Sequence, residues 1–495
     1  MTYRGQKRRL EDEAGSIVRR ARLLLEQQQN LQMPVDGLVL ANRSVRRHSE
    51  KSIQKLCRLI QRYGTVMPVV LGRDDQILDG EARVEAARRL GIAYVPAIRI
   101  SHLSDAEQKA FRIGLNKSPE WADWNVDALR VDFETILELE PDFDLGDTGF
   151  ETGEIDFILE GDDEDESGGD AADVVFHPSG DPAVTRSGDV WLFADKHRLK
   201  CADTKDPQSF HQVLAGAVPR MVFSDPPYNL RIRGVVGGLG QIQHREFHEA
   251  SGEMDDPGFD KFLSTVVSNH ADVCADGGLL YLCIDWRHVE VLLKVCRRLG
   301  LQLVNICAWV KNNGGMGSFY RSRHEFVCVL KKGDEPHLNN VQLGSQGRYR
   351  SNVWEYAGLN SFGRERMAQL QSHPTAKPVD LVADAIRDCT ERGDVVLDGF
   401  AGSGTTLIAA EKTGRRSCSI EIDPAYVDSA ISRFKDRFGI EAVHEETGLT
   451  YSQLTTQRFA EADEVDDAPT AKSATTGRLR LRQRPYVSPS EGAMQ

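Results

Sequence analysis

Val395-Val396-Leu397-Asp398-Gly399-Phe400-Ala401-Gly402-Ser403-Gly404-Thr405-Thr406 is the stretch on which the fold turns. Its apolar start has the composition of a buried strand, ends in an acid and gives way to a glycine-rich turn that opens a helix. Glycines in such a turn let a ligand lie close against the backbone. The pattern is not a dinucleotide fingerprint, because Leu407 stands where the third glycine belongs. It is not a P-loop either, because no Gly-Lys-Ser/Thr follows. A later strand, 417–422, carries Glu421 at its end, 17 residues past Gly404, and an acid in that place binds ribose hydroxyls. Alone, the stretch specifies a nucleoside-like ligand at the rim of an open α/β sheet.

A second stretch, Met221-Val222-Phe223-Ser224-Asp225-Pro226-Pro227-Tyr228-Asn229-Leu230, is an apolar strand running into an acid, two prolines and an aromatic. Two prolines cannot continue a sheet ladder, since neither donates an N–H and both fix φ. They stiffen a turn at the carboxyl end of the strand, where ligands bind in open α/β sheets. A carboxylate, a prolyl carbonyl and a ring face suit a planar base with an exocyclic amine. Asp-Pro-Pro by itself reads equally as a stiff turn whose acid caps a helix; the apolar strand before it and Tyr-Asn after it favour the base.

Together the two motifs resemble the amino-group-specific DNA methyltransferases that use S-adenosylmethionine, whose signatures are a DPPY tetrapeptide and an FxGxG loop. The order, catalytic motif first, is similar to the permuted beta group. Cys201-Ala202-Asp203 resembles the Gly-Asp element that contacts cofactor adenine, with Ala202 replacing glycine. Arg323-His324-Glu325-Phe326 resembles the RHE segment near the base pocket. His373-Pro374-Thr375-Ala376-Lys377-Pro378 is similar to HPTxKP, which closes over the methionine end of the cofactor. The resemblance covers 187–438. It implies a Rossmann-like α/β methyltransferase sheet with Asp225, Pro226, Pro227 and Tyr228 as catalytic residues. It implies cofactor contacts from Asp203, His373, Lys377, Asp398, Phe400, Gly402, Gly404, Thr405 and Glu421, and no metal. Adenine N6 is the expected target, because relatives acting on cytosine N4 more often begin the tetrapeptide with serine.

Composition excludes other classes. The chain has 495 residues, 40% hydrophobic and 27% charged. No apolar run approaches the roughly 20 residues that cross a bilayer. The basic N-terminus lacks the apolar core of a signal peptide, so a cytoplasmic protein is expected. Nine scattered cysteines form no CxxC or Cys/His pattern and read as reduced thiols. The net charge of -14 is local: residues 131–170 hold 17 acids and no Lys or Arg, which leaves the rest slightly basic. An acidic total therefore does not argue against double-stranded DNA as partner. A homodimer and a separately encoded restriction nuclease are further partner expectations, and a restriction-modification role stays open.

Ahead of these motifs lies a small α/β module. Leu78-Asp79-Gly80-Glu81-Ala82-Arg83 and the helix after it resemble the GxxR box of ParB-like domains, with Gly80, Glu81 and Arg83 as its residues. The fold is shared with sulfiredoxin, but no cysteine stands in this loop. The expected organisation is a basic, flexible 1–30 (helical over 17–29), a ParB-like domain over 31–125 and acidic helices in 126–160. A disordered acidic linker over 161–186 follows, then the methyltransferase domain over 187–440 and a disordered tail over 461–495. Within that domain 333–372 is a candidate target-recognition insert. Arg231 and Arg233 of the glycine-rich loop 231–258, Arg348 and Arg350 of this insert, and Arg323 of the RHE-like segment are the candidate DNA contacts. The alternative reading is a ParB-like DNA- or nucleotide-binding regulator whose methylase half is inactive.

Overall fold

Two sheets organise the computed structural model, which describes residues 29–39, 46–141, 143–160, 182–230, 250–311, 320–341, 348–356 and 377–466. The smaller sheet contains β1 (Gln29–Pro34), β2 (Val69–Leu71), β3 (Ile77–Asp79) and β4 (Tyr94–Arg99) in the order β1-β4-β2-β3. Helix α1 (Glu50–Tyr63) is capped by Ser49 and stopped by Gly64; helix α2 (Glu81–Arg89) follows β3. Val84 and Ala87 of α2 join Val69, Leu71, Ile77 and Val95 in the sheet core, while Ala82 and Ala86 turn to Ile53 of α1. Helix α3 (Asp105–Lys117) starts in a Ser104/Glu107 capping box. Because β1 starts at Gln29, the helical reading fails at that residue, and the flexible 1–30 segment gives its last two residues to the sheet. Residues 1–28 lie outside the described ones.

The acidic segment folds as α4 (Val126–Leu139) and α5 (Thr152–Glu160), joined through Phe133, Leu145, Ile155 and Ile158. Its acids are ion-pair partners on both sides. Glu151 meets Lys51 and Lys55 of α1, and Asp147 meets Arg62. On the other side Asp156 and Glu160 reach Arg415 and Arg387 in the larger domain.

The larger sheet has ten strands: β5 (Val190–Phe193), β6 (His197–Cys201), β7 (Met221–Ser224), β8 (Leu279–Ile284), β9 (Gln302–Val310), β10 (His324–Lys331), β11 (Val353–Glu355), β12 (Val395–Asp398), β13 (Arg416–Glu421) and β14 (Val443–His444). Their order is β11-β9-β10-β8-β7-β12-β13-β6-β5-β14. The centre, β8-β7-β12-β13-β6, is parallel throughout. The flanks are mixed. β5 and β6 are joined by too few residues for a crossover and pair antiparallel, as does β10 with both neighbours.

Alternation places the layers. Met221, Phe223 and Val396 face helices α9 (Val379–Cys389), α10 (Thr405–Lys412) and α11 (Pro424–Phe438), whereas Val222, Val395 and Leu397 face α6 (Pro207–Leu214), α7 (Asp256–Val273) and α8 (Val289–Arg298). Helices on both sides explain why these strands read as continuous apolar runs.

Three expected boundaries move. Val184 and Thr185 are buried and donate to Asp428 on α11, so the linker ends before them. The domain passes 440, because β14 pairs with β5 and helix α12 (Tyr451–Asp466) buries Leu454. Arg458 of α12 bonds Asp189 at 2.5 Å. The segment 461–466 is therefore helical rather than tail. Residues 161–181 and 467–495, and more than half of the 333–372 insert, lie outside the described residues. Among the described residues no helix is long and apolar enough to cross a membrane.

Candidate active site

β7 and β12 are parallel neighbours with Met221 against Val396 and Val222 against Leu397. Asp225 and Asp398 therefore leave the sheet side by side at carboxyl ends. The chain departs from β7 towards β8 on one side and returns as β12 on the other, the switch point at which open α/β sheets form their crevice. A cleft of about 160 Å³ opens there, lined jointly by Asp225, Pro226, Pro227, Tyr228, Lys377, the 398–406 loop, Asp203 and Glu421.

On the loop side, Asp398 accepts from the Phe400 N–H at 2.9 Å and from the Thr406 hydroxyl at 2.6 Å, which fixes the turn. Glu421 accepts from the Gly402 N–H at 2.8 Å and the Asp423 N–H at 2.9 Å. Burial pushes both carboxyls up to about 7, against the pull of these bonds. Gly402 and Gly404 both have positive φ. A Cβ on Gly402 would meet nothing, so the backbone faces open space, whereas one on Gly404 would stand 2.8 Å from Ala430. Gly404 thus serves packing on α11 and does not line the cleft. Thr405 lines it, with its hydroxyl held by Arg433 at 3.1 Å. Asp203 sits at the mouth, caps the Lys205 N–H and lies 3.5 Å from the Lys205 ammonium.

On the tetrapeptide side, Asp225 Oδ1 accepts the Tyr228 hydroxyl at 2.5 Å, and Oδ2 takes the Lys377 ammonium at 2.5 Å. Glu325, on β10, lies 3.1 Å from Lys377 and also pairs with Lys311. Burial alone would raise the Glu325 carboxyl, yet Lys377 and Lys311 hold it below the usual carboxylate range. Burial works against the Lys377 charge, and Asp225 and Glu325 hold that ammonium well above its ordinary range. The site can present a carboxylate, a prolyl carbonyl and an aromatic ring to one planar group while a second ligand lies along the loop.

The other expected residues separate. Arg348 and Arg350 do not face outward. Arg348 is 6% exposed and bonds Asp388 at 2.9 Å; Arg350 bonds Asp384 at 2.9 Å and Tyr356 at 2.6 Å. Two acids one helical turn apart on α9 draw both guanidiniums in, which removes them from the DNA-facing set. Arg323 is exposed, with its Nε on the Lys311 carbonyl at 3.1 Å. His373, Arg231 and Arg233 lie outside the described residues. In the ParB-like box, Gly80 caps α2 with φ +101° and Arg83 folds back over it to Asp79 at 2.6 Å, while Glu81 opens the helix, part-buried. Sequence reasoning missed Thr204, Phe262, Asp423 and Tyr426 in the cleft wall. Only Asp423 carries a signal, its N-cap position two residues after Glu421.

Residues 220–432 match the N6_N4_Mtase family, a DNA methylase, and residues 127–187 match the ParB-methyltransferase HTH domain. The chain is similar to the type II methyltransferase M2.DpnII of Streptococcus pneumoniae, 25% identical over 233 residues, 43% of this chain and 82% of that protein. It is also similar to the type II methyltransferase M2.MboI of Moraxella bovis, 23% identical over 223 residues, 44% of this chain and 80% of that protein. Among solved structures, the M1.HpyAVI-SAM complex aligns at 22% identity over 48% of this chain and 98% of that one, with a TM-score of 0.35.

Proposed function

We propose that this chain, which carries an amino-directed DNA methylase domain behind a ParB-like region, moves a methyl group from S-adenosylmethionine to adenine N6 in duplex DNA. The observation that carries this reading is the single cleft to which the Asp225–Tyr228 turn and the 398–406 loop both contribute.

The residues fit the donor. The bare Gly402 backbone leaves room for a ligand, and Glu421 at the end of β13 offers acceptors to ribose hydroxyls. Asp203 and Phe400 flank the adenine end, and the resemblance adds Lys377 and His373 at the methionine end. When bound, S-adenosylmethionine supplies a methyl group on a sulfonium, which becomes a neutral thioether as the methyl leaves.

The target amine is a weak nucleophile because its lone pair is delocalised into the ring. Asp225 and the Pro226 carbonyl accept its two N–H bonds, which favours a pyramidal nitrogen aimed at the methyl carbon. The nitrogen gives its pair to that carbon, becomes cationic, and sheds one N–H proton to water. The Asp225 carboxylate stabilises the developing charge. Tyr228 offers a ring face to the base, which must leave the duplex at a cost of a few kcal/mol.

Adenine rests on Asp225 opening the tetrapeptide and on Tyr228-Asn229 closing it. Nucleoside analysis of DNA from methylation-deficient cells expressing the chain tests this, with N6-methyladenine expected. N4-methylcytosine would replace the base assignment, and the absence of both would overturn the reading.

A further inference from the structure

Lys377 stands between two carboxylates. Its ammonium is 2.5 Å from Asp225 and 3.1 Å from Glu325, and its side chain is 4% exposed. The Tyr228 hydroxyl reaches the same two acids, at 2.5 Å and 3.2 Å. Lys311 completes the group through its pair with Glu325. Two acids and two ammoniums give this group no net formal charge.

Such an arrangement gives each Asp225 oxygen a partner, one a hydroxyl and the other a cation. An entering amine needs one of those oxygens, and its nitrogen becomes positive as it is methylated. An ammonium fixed on Asp225 would cancel the carboxylate's field and repel the new charge. Glu325 is already in contact with the same ammonium, so Lys377 can exchange partners by a side-chain movement alone. Lys311 does not compete for Asp225, since its pair is with Glu325.

We infer that Glu325 is a positioning residue that receives the Lys377 ammonium when the target base enters, freeing Asp225 for the amine and leaving its charge unopposed as the methyl group moves. This deepens, and rests on, the methyl-transfer reading above.

The test measures label transfer from S-adenosylmethionine to methylation-free genomic DNA, with cofactor affinity followed separately by equilibrium dialysis. Glu325→Gln is expected to lower kcat about 10²-fold, the scale of one lost preorganised electrostatic contact, with KM for DNA and cofactor affinity nearly unchanged. Glu325→Asp, which keeps the charge, is expected to recover most of that loss. In a Lys377→Met background Glu325→Gln is expected to cost little further, since no ammonium then has to leave Asp225 and the part-exposed Lys311 keeps access to water. If Lys377→Met is itself inactive, the Glu325→Asp recovery decides, and no recovery overturns the inference. An unchanged kcat in Glu325→Gln, lost cofactor binding, or the same loss with and without Lys377 overturns the inference and leaves methyl transfer standing. No transfer by the unaltered protein overturns both.

Discussion

Arg415 holds Asp156 by two parallel bonds, Nη1 to Oδ1 at 2.9 Å and Nη2 to Oδ2 at 2.8 Å, across 259 residues of chain. Both side chains are buried, and the remaining guanidinium donors go to Thr390 and Thr413. The pair joins α5 to the larger domain. Removing one partner strands the other charge, so Asp156→Ala is expected to cost about 3–5 kcal/mol in urea unfolding. A cost under about 1 kcal/mol would show that the pair is solvated in solution. The covered face of α5 also bears on the helix-turn-helix match. This helix buries Ile155, Asp156 and Ile158 and carries no Lys or Arg, so it offers no cationic side chain to a phosphate backbone.

Glu421 gives a pH signature. Its folded carboxyl is raised to about 7 by burial, above its unfolded value. Between about 4.5 and 7 the unfolded chain therefore binds fewer protons at this site, and the stability present below that window is lost as pH rises through it. Glu421→Gln removes the titration. The melting temperature of that variant relative to the unaltered, cofactor-free protein is expected to climb from pH 5 to pH 7 and then level off. A difference that stays flat with pH would place the Glu421 carboxyl at its ordinary value.

Arg350 and Arg323 are expected to respond oppositely to truncation. Arg350 is committed to Asp384 and Asp388, so Arg350→Ala should lower stability and leave the salt dependence of DNA binding unchanged. Arg323 is exposed. If it meets a phosphate, Arg323→Ala reduces the slope of log affinity against log salt by about one and leaves unfolding unaltered. Titrations at several salt concentrations separate the two.

How much of this was legible follows from the range of the interactions. The strands ending at Ser224 and Asp398, and the helices α1, α2, α4 and α5, follow local signals: apolar runs closed by an acid, glycine stops and helical periodicity. The two motifs met in one cleft because each marks the carboxyl end of a central strand. The HPTxKP resemblance assigns Lys377 to the cofactor, whereas its contact with Asp225 lies 152 residues away, beyond any spacing argument. Arg348 and Arg350 looked exposed because basic residues in a polar stretch usually are. The opposing signal was present, since Asp384, Arg387 and Asp388 share one face of α9. The partners of the acidic 131–170 segment were not legible, because composition carries no information about which arginines in a distant domain its acids meet.

The most direct measurement is transfer of tritiated methyl from S-adenosylmethionine to methylation-free genomic DNA, comparing the unaltered protein with Asp225→Ala at matched cofactor occupancy. The account predicts labelled DNA with the former and a rate at least about 10²-fold lower with the latter, while cofactor binding persists. Equal rates for both proteins, or no labelled DNA from the unaltered one, would contradict it.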